Sequence, residues 1–224
     1  MKNLFYPARI IQLSLVGLLV VTAGGCGGIT YIAKPGFSYH NNYIEPEPID
    51  MIVQLHLSDD FQTKTVKGAT IGTFFGRNRD TVQFGPALVN NSTEMAHMLF
   101  REVLVSRGNR LEVLDGVDAT LEPRFENFLQ NGIRSNAFMQ VCETVALSWV
   151  LKDRQGVTIW SDTISGTSDM TNLGMAHEIS ARTRRRIQQA LDQTFTNAGR
   201  AISKSRKIRQ FAESIGKTDK GKKD

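Results

Sequence analysis

The stretch from Met139 to Gly166 constrains the fold most. Met139, Val141, Val145, Leu147, Trp149 and Leu151 fall on one side of an extended chain, and Gln140, Cys142, Thr144, Ala146 and Ser148 fall on the other. Apolar residues at alternate positions suit a strand with one buried face, because successive side chains of a strand point to opposite sides. Asp153-Arg154-Gln155-Gly156 supplies turn chemistry, and Val157 to Gly166 runs back. This is an antiparallel hairpin.

The layer that covers such a hairpin is legible further on. From Asn172 to Ser203, Ala176, Ile179, Thr183, Ile187, Ala190, Thr194, Ala198 and Ala201 recur at intervals of three or four, widened by Leu191, Phe195 and Ile202. That spacing predicts a long amphipathic helix laid on a sheet. Arg182, Arg184, Arg185, Arg186, Arg200, Lys204 and Arg206 crowd its other sides. Ile208, Phe211 and Ile215 suggest a further short helix, and residues 216–224 read as a Lys-rich, disordered tail.

Upstream, Met51, Val53, Leu55 and Leu57 alternate with Gln54 and His56, which predicts a half-buried strand. Residues 61–75 read as a strand or two broken by turns at Gly68, Gly72 and Gly76. Pro86 to Ser106 reads as a helix, with Leu88, Met95, Leu99, Val103 and Ser106 on one face and Gly108 as its stop. Arg110 to Leu114 and Ala119 to Leu129 read as strands. Pro123 places the second at a sheet edge or on a bulge, because proline cannot donate to a ladder. The order strand, helix, antiparallel strands, long helix defines an α+β fold. Its mostly antiparallel sheet has one face covered by two helices, the C-terminal one long and amphipathic.

The start of the chain decides where this body lives. Lys2 and Arg9 precede Ile10 to Val21, which is apolar apart from Gln12, Ser14 and Gly17; Thr22, Ala23, Gly24, Gly25 and Cys26 follow. A positive start, a short apolar run and a small-residue exit describe a secretory signal. The run is short of the roughly 20 residues a spanning helix needs. The arrangement resembles the lipobox of bacterial lipoproteins, with Ala23 where that family usually has Leu. A plain cleaved signal and an uncleaved anchor are the alternatives. The resemblance implies acyl chains on Cys26, which becomes the new N-terminus, and Gly27 at the next position implies sorting to the outer membrane. Several acyl chains, at about 0.8 kcal/mol per buried methylene, hold a protein stably where one does not.

Removing residues 1–25 from the 224 leaves 199, enough for one domain with a core. Residues 26–50 read as the lipidated N-terminus and an extended tether, rich in Gly, Pro and Asn, with Glu45-Pro46-Glu47-Pro48 near its end. Tyr31, Phe37, Tyr39 and Tyr43 are more than a spacer requires, so part of the segment is expected to pack on the body. The domain proper spans residues 51–215. Only Cys26 and Cys142 are present, so once Cys26 carries lipid the core alone holds the domain. Cys142 reads as a small core residue within its strand.

Charge is uneven: residues 181–224 hold 13 Lys and Arg against 4 Asp and Glu, while the whole chain is +5. The run Arg182, Arg184, Arg185, Arg186 is a candidate docking patch for anionic lipid, an envelope polymer or an acidic protein partner. A solvated helix face is the plainer reading. Export argues against nucleic acid. His40, His56, His97 and His177 lack second ligands at metal spacing, no Gly-x-Ser-x-Gly elbow occurs, and Gly68, Gly72 and Gly76 lack the Lys-Ser of a phosphate loop. Glu122 and Glu126 read as a solvent-facing carboxylate pair. Asn90-Asn91-Ser92-Thr93 reads as a helix cap. No catalytic residue, cofactor or metal is expected.

The segments NLGMAHEISARTRRRIQQALDQTFT (Asn172 to Thr196) and Ile208-Arg209-Gln210-Phe211 resemble the YajG-like envelope lipoproteins of Gram-negative bacteria, and the hairpin DRQGVTIWSDTISG (Asp153 to Gly166) resembles several periplasmic lipoproteins of assembly and transport systems. That resemblance implies a non-enzymatic, lipid-anchored outer-membrane protein whose body faces the periplasm and binds or assembles envelope components. A lipid or glycolipid carrier and a small lipid-anchored enzyme are the alternatives.

Overall fold

The computed structural model describes residues 29–35, 47–67, 80–135, 138–172 and 178–220. Cys26, His40, His177, Phe37, Tyr39, Tyr43 and the turns read at Gly68, Gly72 and Gly76 lie outside these residues. The elements are β1 (Thr30–Ile32), β2 (Ile49–Leu57), α1 (Asp59–Gln62), β3 (Thr65–Lys67), β4 (Thr81–Gln83), α2 (Gly85–Leu99), β5 (Phe100–Arg107), β6 (Ala119–Ser135), β7 (Phe138–Asp153), β8 (Thr158–Thr167), β9 (Thr171–Asn172), α3 (Ile179–Ser203) and α4 (Arg206–Lys220). The fold is α+β. The larger sheet runs β5-β2-β6-β7-β8, with β9 on β7, and a second sheet runs β1-β4-β3.

The hairpin forms as its alternation predicts. β6, β7 and β8 are antiparallel neighbours. Asp153 closes the β7–β8 turn by accepting from the backbone N–H groups of Gln155 (2.9 Å) and Val157 (2.8 Å), while Gly156 takes a φ of 82°. The rest of the sheet is parallel, since β2 pairs in parallel with both β5 and β6. Parallel sheet is usually covered on both faces. Met51, Val53, Leu55 and Leu57 enter the core, as expected. Gln54 and His56 are also buried, beneath the loop that follows β5. Gln54 Nε2 donates to Ser106 Oγ (2.8 Å) and the Glu112 carbonyl (2.7 Å), and the Leu114 N–H donates to Gln54 Oε1 (2.9 Å). The strand read over Arg110 to Leu114 is therefore a loop, pinned by a buried amide.

The helix read over Pro86 to Ser106 ends at Leu99, and the chain enters β5 without a connecting loop. Phe100 is already extended, at φ −122° and ψ 151°. Val103 fits either period, but β2 offers an edge of unpaired backbone groups that a strand satisfies and a helix does not. Asn90 lies inside α2 and donates to Glu94 Oε1 (2.9 Å), so it caps nothing. α3 likewise starts later than read, at Ile179, after the short strand β9. α4 runs to Lys220, past the Ile215 where the helical reading stopped.

β6 carries a bulge between Phe125 and Asn127. Pro123 lies beyond Leu121, the last β6 residue paired to β2, so its missing N–H costs no ladder bond. The bulge shifts the alternation by one residue: Phe128 turns inward and Leu129 outward.

α3 closes the core. Thr183, Ile187, Ala190, Leu191, Thr194, Phe195, Ala198 and Ile202 are buried, and Trp149 meets the Phe195 ring edge-on at 6.0 Å between centroids. A Cβ at Gly166 would stand 2.2 Å from the Thr194 amide nitrogen, so only glycine lets the helix backbone come this close to β8. Thr194 Oγ1 donates to the Val145 carbonyl (3.1 Å), fastening the helix to β7.

Candidate functional site

Two features converge on the N-terminal half of α3: the arginine run and the strand β1. They are related, because one arginine of the run looks inward.

Arg186 belongs to the interior. Helix periodicity puts it three residues after Thr183 and four before Ala190, both buried. Its Nε donates to Glu143 Oε2 at 2.9 Å, with both side chains at most 2% exposed. Its remaining nitrogens donate to Thr171 Oγ1 (3.1 Å) and Thr183 Oγ1 (3.0 Å). Glu143 also accepts from Gln130 Nε2 at 2.6 Å. Burial pushes the Glu143 carboxyl above its ordinary range, although Arg186 and Gln130 pull it down. Arg186 is thus removed from the docking patch, since a guanidinium spent on a buried carboxylate is not presented to a partner. Sequence reading passed over Glu143, yet the signal was present. It is the one carboxylate at an inward position of β7, and a buried carboxylate demands a cation.

The other three arginines stand at or near the surface. Arg182 pairs with Glu178 (2.9 Å) and donates to the Asn172 carbonyl (3.3 Å). Arg184 and Arg185 are exposed. Arg185 lines a groove of about 490 Å³ with Asp169, Gln188, Gln189, Asp192, Gln193 and Thr196. Its walls are tied together. Gln189 Nε2 donates to Asp169 Oδ2 (2.6 Å) and Gln188 Nε2 to Asp192 Oδ1 (2.9 Å). The groove is an open, preformed array of amides and carboxylates with one arginine at its edge. It suits a polar, hydrogen-bonding partner.

β1 packs across this half of α3, so residues 29–35 are part of the body, and Tyr31 is one of the aromatics of the 26–50 segment expected to pack there. Tyr31 and Ala33 are buried. The Tyr31 hydroxyl bonds Ser180 and Thr183, and burial raises its pKa despite those bonds and the nearby Arg186 charge. The Lys34 N–H donates to Gln188 Oε1 at 3.1 Å, linking β1 to the groove wall.

The remaining expected residues disperse. His56 shares a 3.1 Å hydrogen bond with Ser106 Oγ, and His97 is exposed on the last turn of α2. Cys142 is buried on β7. Glu122 does not face water. It is 8% exposed and accepts from Lys152 Nζ (2.7 Å) and Arg124 Nη2 (3.2 Å). Burial alone would raise its pKa, but those two cations together bring it below the ordinary range. Glu126, at the bulge, is exposed, so the two carboxylates form no pair. Among the described residues no three His, Cys, Asp or Glu side chains gather as metal ligands. No helix among them is long and apolar enough to cross a membrane.

No protein-family model matches the chain, and no curated protein does. Some solved structures are similar to it at low identity. A Xanthomonas campestris protein of the DUF330 family is 11% identical, covering 77% of this chain and 93% of its own, with a TM-score of 0.44. A minor lipoprotein from Acinetobacter baumannii is 12% identical over 70% of this chain and 93% of its own, at 0.38. A lipoprotein from Neisseria meningitidis is 15% identical over 63% and 97%, at 0.31. These are distant likenesses of fold, and the assignment of a role rests on the chain's own residues.

Proposed function

We propose that the protein is a lipid-anchored component of the bacterial outer membrane, with its body in the periplasm, and that it binds or assembles envelope components without catalysing a reaction. The observation that carries this reading is the leader: Lys2 and Arg9, the apolar run from Ile10 to Val21, and small residues ending at Cys26. Cys26 carries the acyl chains that hold the protein in the membrane. The groove beside Arg185 is the surface offered to an envelope protein or a polar envelope polymer. A filled core favours this role over that of a lipid carrier, since Trp149, Leu191 and Phe195 occupy the space between sheet and helix with no exposed surface. Exposed Arg184 and Arg185 favour a partner with acidic groups.

A photo-crosslinking amino acid placed at Gln189, in living cells, tests the binding surface. Adducts that form from position 189, fail from exposed Glu102 on β5 and weaken when Arg185 is changed to Ala support the reading. Equal adducts from both positions overturn it.

A further inference from the structure

The link between Cys26 and the folded body is far shorter than a tether of residues 26–50 implies. Ile29 is already fixed: its N–H donates to Asp80 Oδ1 (2.9 Å) and its carbonyl accepts from the Thr81 N–H (2.9 Å). β1 then pairs in parallel with β4, Thr30 beside Thr81 and Ile32 beside Gln83. The Ala33 N–H donates to the Gln83 carbonyl (3.0 Å), and Lys34 is held by Gln188 at 3.1 Å. Tyr31 and Ala33 lock the inner side of the strand beneath α3.

Three peptide steps separate Cys26 from Ile29, so their Cα atoms are at most about 10–11 Å apart. The polar layer on each side of a bilayer is roughly 5–8 Å deep. An acylated Cys26 therefore holds β1 at the headgroups. Were β1 free, the 23 steps from Cys26 to Ile49 would let the body range about 25–30 Å away as a coil.

We propose that the exposed face of the β1-β4-β3 sheet is the membrane-facing surface of the protein, held against the lipid headgroups by this three-residue link. The inference rests on acylation of Cys26. The pairing register puts Thr30, Thr81 and Lys67 in one row of that face and Ile32, Gln83 and Thr65 in the next, while Tyr31, Val82 and Val66 fall on the opposite, inward side. Ile32 is 55% exposed on this face, and Lys67 is exposed on the same face in the neighbouring row, across β4. An exposed apolar side chain and a lysine on one face suit an interface of headgroups and upper acyl chains. The β7–β8 turn is the distant reference point. Phe84, just after β4, packs on Phe125, which pairs with Leu147, and Asp153 lies six residues further along β7; that is about 20 Å of strand.

The full-length, membrane-extracted protein is labelled with a fluorophore at Ile32→Cys or Val157→Cys, both exposed positions. It is then reconstituted in phosphatidylethanolamine–phosphatidylglycerol vesicles with spin-labelled headgroups. Quenching at position 32 is expected to exceed that at position 157 several-fold. A 20-residue Gly-Ser insertion between Cys26 and Ile29 is expected to abolish the excess, because it leaves the fold intact and frees the body. Mass spectrometry of the same samples reports acylation. Protein without acyl groups overturns the anchor reading, and this inference with it. Acylated, vesicle-bound protein quenched equally at both positions, or unaffected by the insertion, overturns this inference alone.

Discussion

The two sheets of this protein are held by different means. The larger sheet is fixed by volume: Trp149, Phe195, Leu191 and the close approach of α3 at Gly166 leave it no other arrangement. The small sheet has three strands of three residues each. Its inward residues Tyr31, Val82 and Phe84 join the common core, and it is tied further by a backbone pairing across 51 positions and an aromatic contact. Phe84, just after β4, lies 5.2 Å from Phe125 and 5.3 Å from Phe128 of β6, measured between ring centroids. The first sheet forms the bulk of the body, and the second is the part that we propose meets the membrane.

The largest effect is expected at the buried ion pair that joins β7 of the larger sheet to α3. Glu143→Ala leaves Arg186 charged in the interior and is expected to cost about 3–5 kcal/mol of unfolding free energy, read by denaturant titration. Glu143→Leu combined with Arg186→Met is expected to recover most of it, because the replacement is apolar and similar in volume. Next is packing: Gly166→Ala forces α3 off β8 and is expected to cost about 1–3 kcal/mol, with the loss shared by the whole domain.

Tyr31→Phe removes a buried hydroxyl from Ser180 and Thr183 and is expected to cost about 0.5–1.5 kcal/mol. Here the contrast becomes visible, since hydrogen exchange is expected to rise at Tyr31 and Val82 and to stay unchanged at Leu147. The smallest effect is on acid stability. The Glu122 pKa is depressed in the folded state, so its stabilisation is full above the ordinary carboxylate range and fades as pH falls through the folded value. Glu122→Gln is expected to remove about 0.5–1 kcal/mol at neutral pH and to flatten the acid limb of a stability–pH profile. Glu143 acts with the opposite sign. Its raised pKa makes stability fall as pH rises from the ordinary carboxylate range to the folded value.

What was legible in the sequence follows the same division. The β7–β8 hairpin and the stripe of α3 were readable because each repeats one period over many residues. The α2–β5 boundary was not: Leu99, Val103 and Ser106 continue a helical stripe, and only the open edge of β2 converts the segment to strand. β1 is too short to show a period, and its partner strand is distant in sequence. Within the candidate site, Arg184 and Arg185 are exposed, as helix periodicity alone allows. The role of Arg186 was not legible, because it depends on Glu143, 43 positions away. The groove joins α3 to Asp169, a proximity that no local pattern encodes.

The mass of the membrane-extracted protein, wild type beside Cys26→Ala, tests the central claim most directly. The wild-type chain is expected to begin at Cys26 and carry acyl groups, and the variant to be neither processed there nor acylated. A bare wild-type chain cut at another residue would contradict it, and the outer-membrane placement would fall with the anchor.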